Sequence, residues 1–370
     1  MNLQWWPGLL AFAGSMVAMW ALVRLAPRLG LLDHPEGRKD HASPTPVVGG
    51  LAMLLACLAV LPFTLPLSYH TAALGVAAVI VVAIGVYDDR HELDWTWRLG
   101  WQCVAGLVIA LWGGARVEDV GEAFGLVGLN LGMWAIPFTV FATVGLINAM
   151  NMIDGADGLA GSLALGALAM LGAAAVYAGN GVLAERVLIV CGALAGFLWW
   201  NLRFPWRPQA SAFMGDAGSG LLGLVIAWVA FRLTQNPGHP VNPVLALWLL
   251  PIPVMDCLVL IVRRLQERRS PFAAGRDHIH HLMADAGFRP MQIVGSLLAF
   301  SLVTGLLAGQ AMRMDLPNPS LLGIFLVMCL GWYLVSIRRE RAIALFGRLR
   351  GVRQVPPAQA LGPQKAGNDA

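Results

Sequence analysis

The charged residues of this 370-residue chain are bunched, and between the bunches lie uninterrupted apolar runs of about twenty residues, the length a helix needs to cross the hydrocarbon core of a bilayer. Eleven such runs fall near 8–25, 47–67, 71–87, 99–113, 133–149, 159–179, 186–202, 217–234, 244–262, 291–310 and 319–337. Only 12% of residues are charged and 58% are hydrophobic, whereas ordinary globular chains carry about 25% charge. The two or three soluble domains that the length would otherwise suggest are therefore excluded. So are a secreted disulfide scaffold, a disordered chain and a nucleic-acid module, despite a net charge of +4. The expected fold is an all-α polytopic membrane protein of about eleven transmembrane helices.

The sides follow from the placement of Lys and Arg, which concentrate in cytoplasmic loops. With the N-terminus outside, the inner segments are 24–46, 88–98, 150–158, 203–216 and 263–290, plus the chain after 337. These hold 21 of the 25 Lys and Arg residues, leaving only Arg116, Arg186, Arg232 and Arg313 outside. The C-terminus is then cytoplasmic. Arg24 and Arg28 follow the first run and no positive residue precedes it, so it is expected to remain as an anchor rather than be cleaved. Residues 1–337 form one integral-membrane domain and 338–370 a tail expected to be mobile. Trp5, Trp6, Trp95, Trp97, Trp112, Trp134, Trp199, Trp200 and Trp206 gather near run ends, as an interfacial aromatic belt does. The five cysteines all sit in apolar runs, odd in number and without a CxxC pair, so neither a disulfide framework nor a zinc site is expected.

The chemistry collects on the inner side. One apolar run stops at Asp88-Asp89; two adjacent carboxylates keep their charge only beside a cation or hydrogen-bond donors. In Asn151-Met152-Ile153-Asp154-Gly155-Ala156-Asp157-Gly158-Leu159 the polar residues recur every third position, so Asn151, Asp154 and Asp157 share a face if the segment is helical. In Phe213-Met214-Gly215-Asp216-Ala217-Gly218-Ser219 a carboxylate sits among glycines at the start of a run, where free backbone N–H groups suit a phosphate. Arg276-Asp277-His278-Ile279-His280-His281 offers either metal ligands or donors to phosphate and sugar oxygens; with hard carboxylates elsewhere and no cysteine nearby, the donor role is favoured. Lys39 and His41 lie in a basic, Pro-rich inner loop that serves membrane topology, substrate binding, or both. Carboxylates ringed by Arg, Lys and His suit a divalent metal bridging anionic ligands, and two phosphates brought to about 4 Å repel by about 4 kcal/mol per unit-charge pair at an effective dielectric of 20.

Taken together and in this order, the four motifs from Asp88-Asp89 to His281 resemble those of the polyprenyl-phosphate N-acetylhexosamine-1-phosphate transferases (glycosyltransferase family 4), over a stretch from Asp33 to Phe288. The Ile153 and Ile279 variants of the motifs resemble the WecA-type branch, which uses UDP-GlcNAc and undecaprenyl phosphate. They differ from the phospho-MurNAc-pentapeptide branch, which has Thr before the first Asp and three consecutive histidines. The resemblance implies transfer of a sugar phosphate from UDP-GlcNAc to undecaprenyl phosphate with release of UMP, in O-antigen or related envelope glycan synthesis. The sugar is left open among GlcNAc, FucNAc, QuiNAc and GalNAc types. It further implies Mg²⁺, with Mn²⁺ as the alternative, held by Asp216 with Asp88 and Asp89. Asp88 or Asp89 would deprotonate or position the prenyl phosphate. The nucleotide-sugar site would comprise Asn151, Asp154, Asp157, Phe213 stacking on uracil, Arg276, His278, His280 and His281, with Lys39 and His41 as a substrate loop. A bacterial inner membrane, a cytoplasmic active site and a homodimer as one assembly are part of the same expectation. A secondary transporter is the main rival. Transporters place charged sites near the midplane, often with a repeat relation between halves; these acids lie at run ends and no repeat is evident.

Overall fold

Each of the eleven apolar runs contains a helix in the computed structural model, which describes residues 3–34, 43–64, 68–125, 129–235, 241–271 and 275–350. In chain order the helices are α1 (Trp6–Leu29), α2 (Gly49–Val60), α3 (Tyr69–His91), α4 (Trp95–Leu111), α5 (Ala135–Ile153), α6 (Leu159–Tyr177) and α7 (Gly181–Asn201). Then come α8 (Gly215–Thr234), α9 (Leu245–Leu249), α10 (Pro251–Gln266), α11 (Ile279–Asp285), α12 (Pro290–Arg313), α13 (Asn318–Ser336) and α14 (Arg339–Leu349). Eight helices among the described residues are long and apolar enough to cross a membrane: α1, α3, α5 with its preceding turn, α6, α7, α8, α12 and α13.

The other three runs differ from simple spans, each for a local reason. Helix α2 is 12 residues long and passes into a 3₁₀ turn at Leu61-Pro62-Phe63. Helix α4 has 17 residues and ends just before Gly113-Gly114. The run expected as one helix over 244–262 is two, α9 and α10, broken at Leu250 (φ −129°, ψ 54°). Pro251 causes the break: it has no N–H to continue the ladder, and its ring drives the preceding residue out of helical geometry.

Helix α8 is the axis of the bundle. It is buried along nearly its whole length and packs against α2, α3, α5 and α6, which is why it is apolar all round rather than along one stripe. Small residues set how closely its neighbours approach, as lipid-embedded helices require. A Cβ on Gly85 of α3 would lie 2.3 Å from the Ala217 Cα, and one on Gly50 of α2 would lie 2.3 Å from the Gly218 nitrogen. Those two contacts draw the ends of α2 and α3 onto the first turn of α8, where the acidic residues are.

The loops at that end are stitched together by backbone bonds. Strands β1 (Leu32–Asp33) and β2 (Thr45–Pro46) pair antiparallel. Beyond them Val47 bridges Phe213 in parallel, with Phe213 N–H donating to the Pro46 carbonyl at 2.8 Å. Lys39 and His41, and the tail beyond 350, lie outside the described residues.

Candidate active site

Asp88 and Asp89 occupy the last turn of α3, and Asp216 the first turn of α8; the tight α3–α8 crossing brings them together. Asp89 turns its oxygens toward the start of α8, accepting from Asp216 N–H at 2.8 Å and Ala217 N–H at 3.4 Å. The first amides of a helix have no intrahelical acceptor and carry partial positive charge, so Asp89 caps α8 and holds Asp216 in register. Asp88 is buried and accepts from Leu93 N–H at 2.6 Å.

Between Asp88 and Asp216 stands Arg98, from the first turn of α4. One of its terminal nitrogens, Nη1, donates to Asp88 Oδ2 at 2.9 Å and to Asp216 Oδ2 at 2.7 Å. Asn151, at the end of α5, donates to the other Asp216 oxygen at 2.5 Å and to Ser219 Oγ at 3.2 Å. Two carboxylates from different helices thus converge on a single cation. Among the described residues no three His, Cys, Asp or Glu are arranged to hold a metal by themselves. That donor set fits Mg²⁺, which takes one or two carboxylates and fills its octahedron with water and phosphate oxygens. Asp216 and Asp88 are the residues that could hold it.

The three-residue spacing of Asn151, Asp154 and Asp157 does not become one helical face. Helix α5 ends at Ile153, Asp154 caps it with ψ 58°, and Gly158 takes φ 79° before α6 begins. Asp154 stays near Asp216, and burial, with the charges of Asp216 and Asp157, pushes its carboxyl up to about 7. Asp157 turns instead to the 203–212 loop, accepting from Arg203 Nε at 2.7 Å and Ala210 N–H at 3.1 Å. Buried Asn201 completes that join, accepting from Gly158 N–H at 2.8 Å and donating to the Ala212 carbonyl at 2.9 Å. Phe213 leaves the same loop half-buried.

The histidines arrive from the far side of the cleft. The His278 and His280 rings lie nearly parallel with centroids 5.8 Å apart, and His280 and His281 are 4.1 Å apart. His280 is 2% exposed and neither ring nitrogen has a hydrogen-bond partner, an uncommon state for a buried polar group. Burial and the neighbouring His281, His278 and Arg276 hold its imidazole well below the usual range. A Cβ on Gly155 would lie 2.3 Å from His280 Nε2, so the histidine segment sits directly on the Asp154 turn. Arg276 approaches Asp285 at 3.8 Å, and Asp285 also pairs with Arg339 of α14. Asp88, Asp89, Asn151, Asp154 and Asp216 thus form one group and His278, His280 and His281 an adjoining one, while Asp157 and Phe213 belong to the loop beside them. Arg98, Asn201, Arg203 and Asp256 (the last bonded to His278) are the participants that the motifs did not single out.

A small, partly open pocket lies between α3, α4, α5 and α8. Val81, Ile84, Trp101 and Ile147 give it apolar walls, and Arg98 and Asp216 stand at its polar end.

This helical membrane bundle with a carboxylate-rich cleft at its helix ends has clear relatives. The sequence matches Glycosyl transferase family 4 over residues 71–234. It is 33% identical to the undecaprenyl-phosphate alpha-N-acetylglucosaminyl 1-phosphate transferase of Yersinia pestis, over 90% of this chain and 92% of that one. The enzyme of the same name from Escherichia coli O157:H7 is 33% identical over 87% and 88% of the two chains. The one from Haemophilus influenzae is 35% identical over 79% and 81%. The chain belongs to glycosyl transferase family 4.

Proposed function

We propose that this protein transfers GlcNAc-1-phosphate from UDP-GlcNAc to undecaprenyl phosphate, forming undecaprenyl-diphospho-GlcNAc and releasing UMP. The observation that carries this reading is the convergence of Asp88 and Asp216 on one cation at the polar end of an apolar-walled cavity. That geometry suits a lipid phosphate entering from the bilayer to meet a nucleotide diphosphate. The relatives' shared activity supports the same assignment.

A phosphate oxygen of the lipid attacks the β-phosphorus of UDP-GlcNAc, and the bond from that phosphorus to the oxygen bridging the α-phosphate breaks. The electron pair leaves with UMP. At neutral pH a phosphate monoester has already lost its first proton, so Asp88 has little proton to remove and serves chiefly to position. Phosphoryl transfer of this kind depends on alignment and on stabilising charge over the equatorial oxygens. Mg²⁺ held by Asp216 and Asp88, or Mn²⁺ in its place, would neutralise the diphosphate. Arg98 supplies fixed positive charge at the same point, and Asn151 orients Asp216. The Asp154–Asp157 turn, with Phe213 in the adjoining loop, forms the nucleotide-sugar side, where Arg276 and His281 supply donors to diphosphate and sugar oxygens and His278 contacts the sugar. The membrane is the inner membrane of a bacterium, crossed by eleven spans with the N-terminus outside and the cleft on the cytoplasmic face. The product would prime an envelope glycan such as O-antigen.

The test is UMP release by purified protein given undecaprenyl phosphate, Mg²⁺ and UDP-GlcNAc, with UDP-GalNAc and UDP-MurNAc-pentapeptide in parallel. Lipid-dependent UMP from UDP-GlcNAc, abolished by EDTA, is expected. Release from another donor alone would reassign the sugar, and release from none would remove the transferase reading.

A further inference from the structure

Asp256 lies in the middle of the apolar sequence of α10, with 1% of its surface exposed. A carboxylate so buried is costly unless its oxygens are satisfied. Here three donors from two parts of the chain meet it. His278 Nδ1 lies 2.8 Å from Oδ2, while Ile279 N–H, at the start of α11, donates to Oδ1 at 3.2 Å and Trp332 Nε1 of α13 at 3.1 Å.

The arrangement is chemically asymmetric. Oδ1 already receives two N–H donors, so it is an acceptor only. Oδ2 faces a ring nitrogen, and against a carboxylate that nitrogen must carry the proton. Nδ1 is therefore the N–H, and Nε2 is the nitrogen left to meet a ligand. A carboxylate that fixes one ring nitrogen sets the tautomer and direction of the other.

We propose that Asp256 is a positioning residue for the transfer reaction: it locks His278 with Nδ1 protonated and presents Nε2, then an acceptor, to a hydroxyl or amide N–H of the donor's sugar. The proposal rests on the transferase reading above, and it adds a residue from outside the four motifs together with a defined protonation pattern at His278. It separates His278 from His280, whose nitrogens have no partner.

The same asymmetry supplies the test. In Asp256→Asn the side chain keeps its shape, and the donors Ile279 N–H and Trp332 Nε1 hold the amide oxygen on their side. The NH₂ then faces His278 Nδ1, which must become an acceptor, and the proton moves to Nε2. In protein labelled with ¹⁵N-histidine, the wild-type His278 signal, assigned with His278→Gln, is expected as protonated Nδ1, and in Asp256→Asn as protonated Nε2. The kcat for UMP release should fall by about 100-fold, the upper end of what loss of such an orienting partner costs. Trp332→Phe removes one donor from the same oxygen without inverting the ring. It should leave the wild-type tautomer and a kcat within about threefold, because the orienting bond to Nδ1 is kept. A purely structural carboxylate would make the two variants alike.

An active wild type whose His278 carries its proton on Nε2 overturns the proposal, and this measurement needs no variant at position 256. An Asp256→Asn protein that keeps more than half of the wild-type kcat overturns it as well. A wild type that forms no UMP from any donor instead removes the transferase reading, while the tautomer measurement still reports on Asp256.

Discussion

Arg98 stands where a divalent cation would also be drawn, between two carboxylates brought in by separate helices. Removing it in Arg98→Gln leaves Asp88 and Asp216 facing each other without their shared positive charge. The pair is one-third exposed on the Arg98 side, at 34%, so solvent screening limits the loss to about 1 kcal/mol. In EDTA the variant should melt about one to two degrees below wild type, and added Mg²⁺ should raise its Tm by more than it raises the wild type's, since the metal then supplies the missing charge. Equal Mg²⁺ shifts in the two proteins would show that the metal binds elsewhere. Asp154 gives a second prediction at this scale. Its folded carboxyl is raised to about 7, above the unfolded value of about 3.9, so the folded state binds more protons between these limits and stability falls as pH rises through them. Without metal, Asp154→Asn should flatten the loss of Tm between about pH 4 and pH 7, while cutting UMP release at pH 7.5 because the carboxylate is gone. Parallel melting curves for the two proteins across that window would refute the assignment.

The site is assembled by helix crossings, and one crossing can be tested cleanly. A Cβ on Gly85 would strike the Ala217 backbone at 2.3 Å, whereas one on Gly75, three turns earlier on the same helix, meets nothing within 4 Å. Both substitutions by Ala favour helix formation by about 1 kcal/mol, so propensity cannot separate them. Gly85→Ala should push α3 off α8, part Asp89 from the amides it caps, and lower UMP release by at least about tenfold, a loss of 1.4 kcal/mol in transition-state stabilisation. Gly75→Ala should be within about twofold of wild type, since the added methyl meets no neighbour. The apolar runs predicted where helices form because a span is long and locally encoded. They misjudged 244–262, although Pro251 was there to be weighed. The every-third-residue spacing at Asn151, Asp154 and Asp157 suggested a shared face, but Gly155 and Gly158 end the helix, and only Asn151 and Asp154 stay with Asp216. Asp256 was illegible for a different reason: a single acid inside an apolar run has no neighbouring motif, and its partners, His278 and Trp332, are 22 and 76 residues away.

For the whole molecule, the separated motifs meet because the ends of α3, α5 and α8 and the segment before α11 lie at one end of the bundle, and the distribution of Lys and Arg is the ground for proposing that this end is cytoplasmic. The proposed topology places 21 of the 25 such residues in cytoplasmic segments; insertion the other way would translocate nearly all of them, against the bias that sets membrane topology. The orientation matters chemically, since nucleotide sugars are made and held in the cytoplasm and a cleft facing outward would have no donor. Two exposed positions report on it. Ser270 follows α10 on the side of the histidine segment, and Glu118 lies between α4 and α5 at the opposite end. In a chain with its five native cysteines replaced, a membrane-impermeant thiol reagent added to intact cells should label Glu118→Cys and spare Ser270→Cys, and opening the membrane should expose both. Labelling of Ser270→Cys in intact cells would invert the topology and leave the cleft without access to its donor, whatever the purified protein does in detergent.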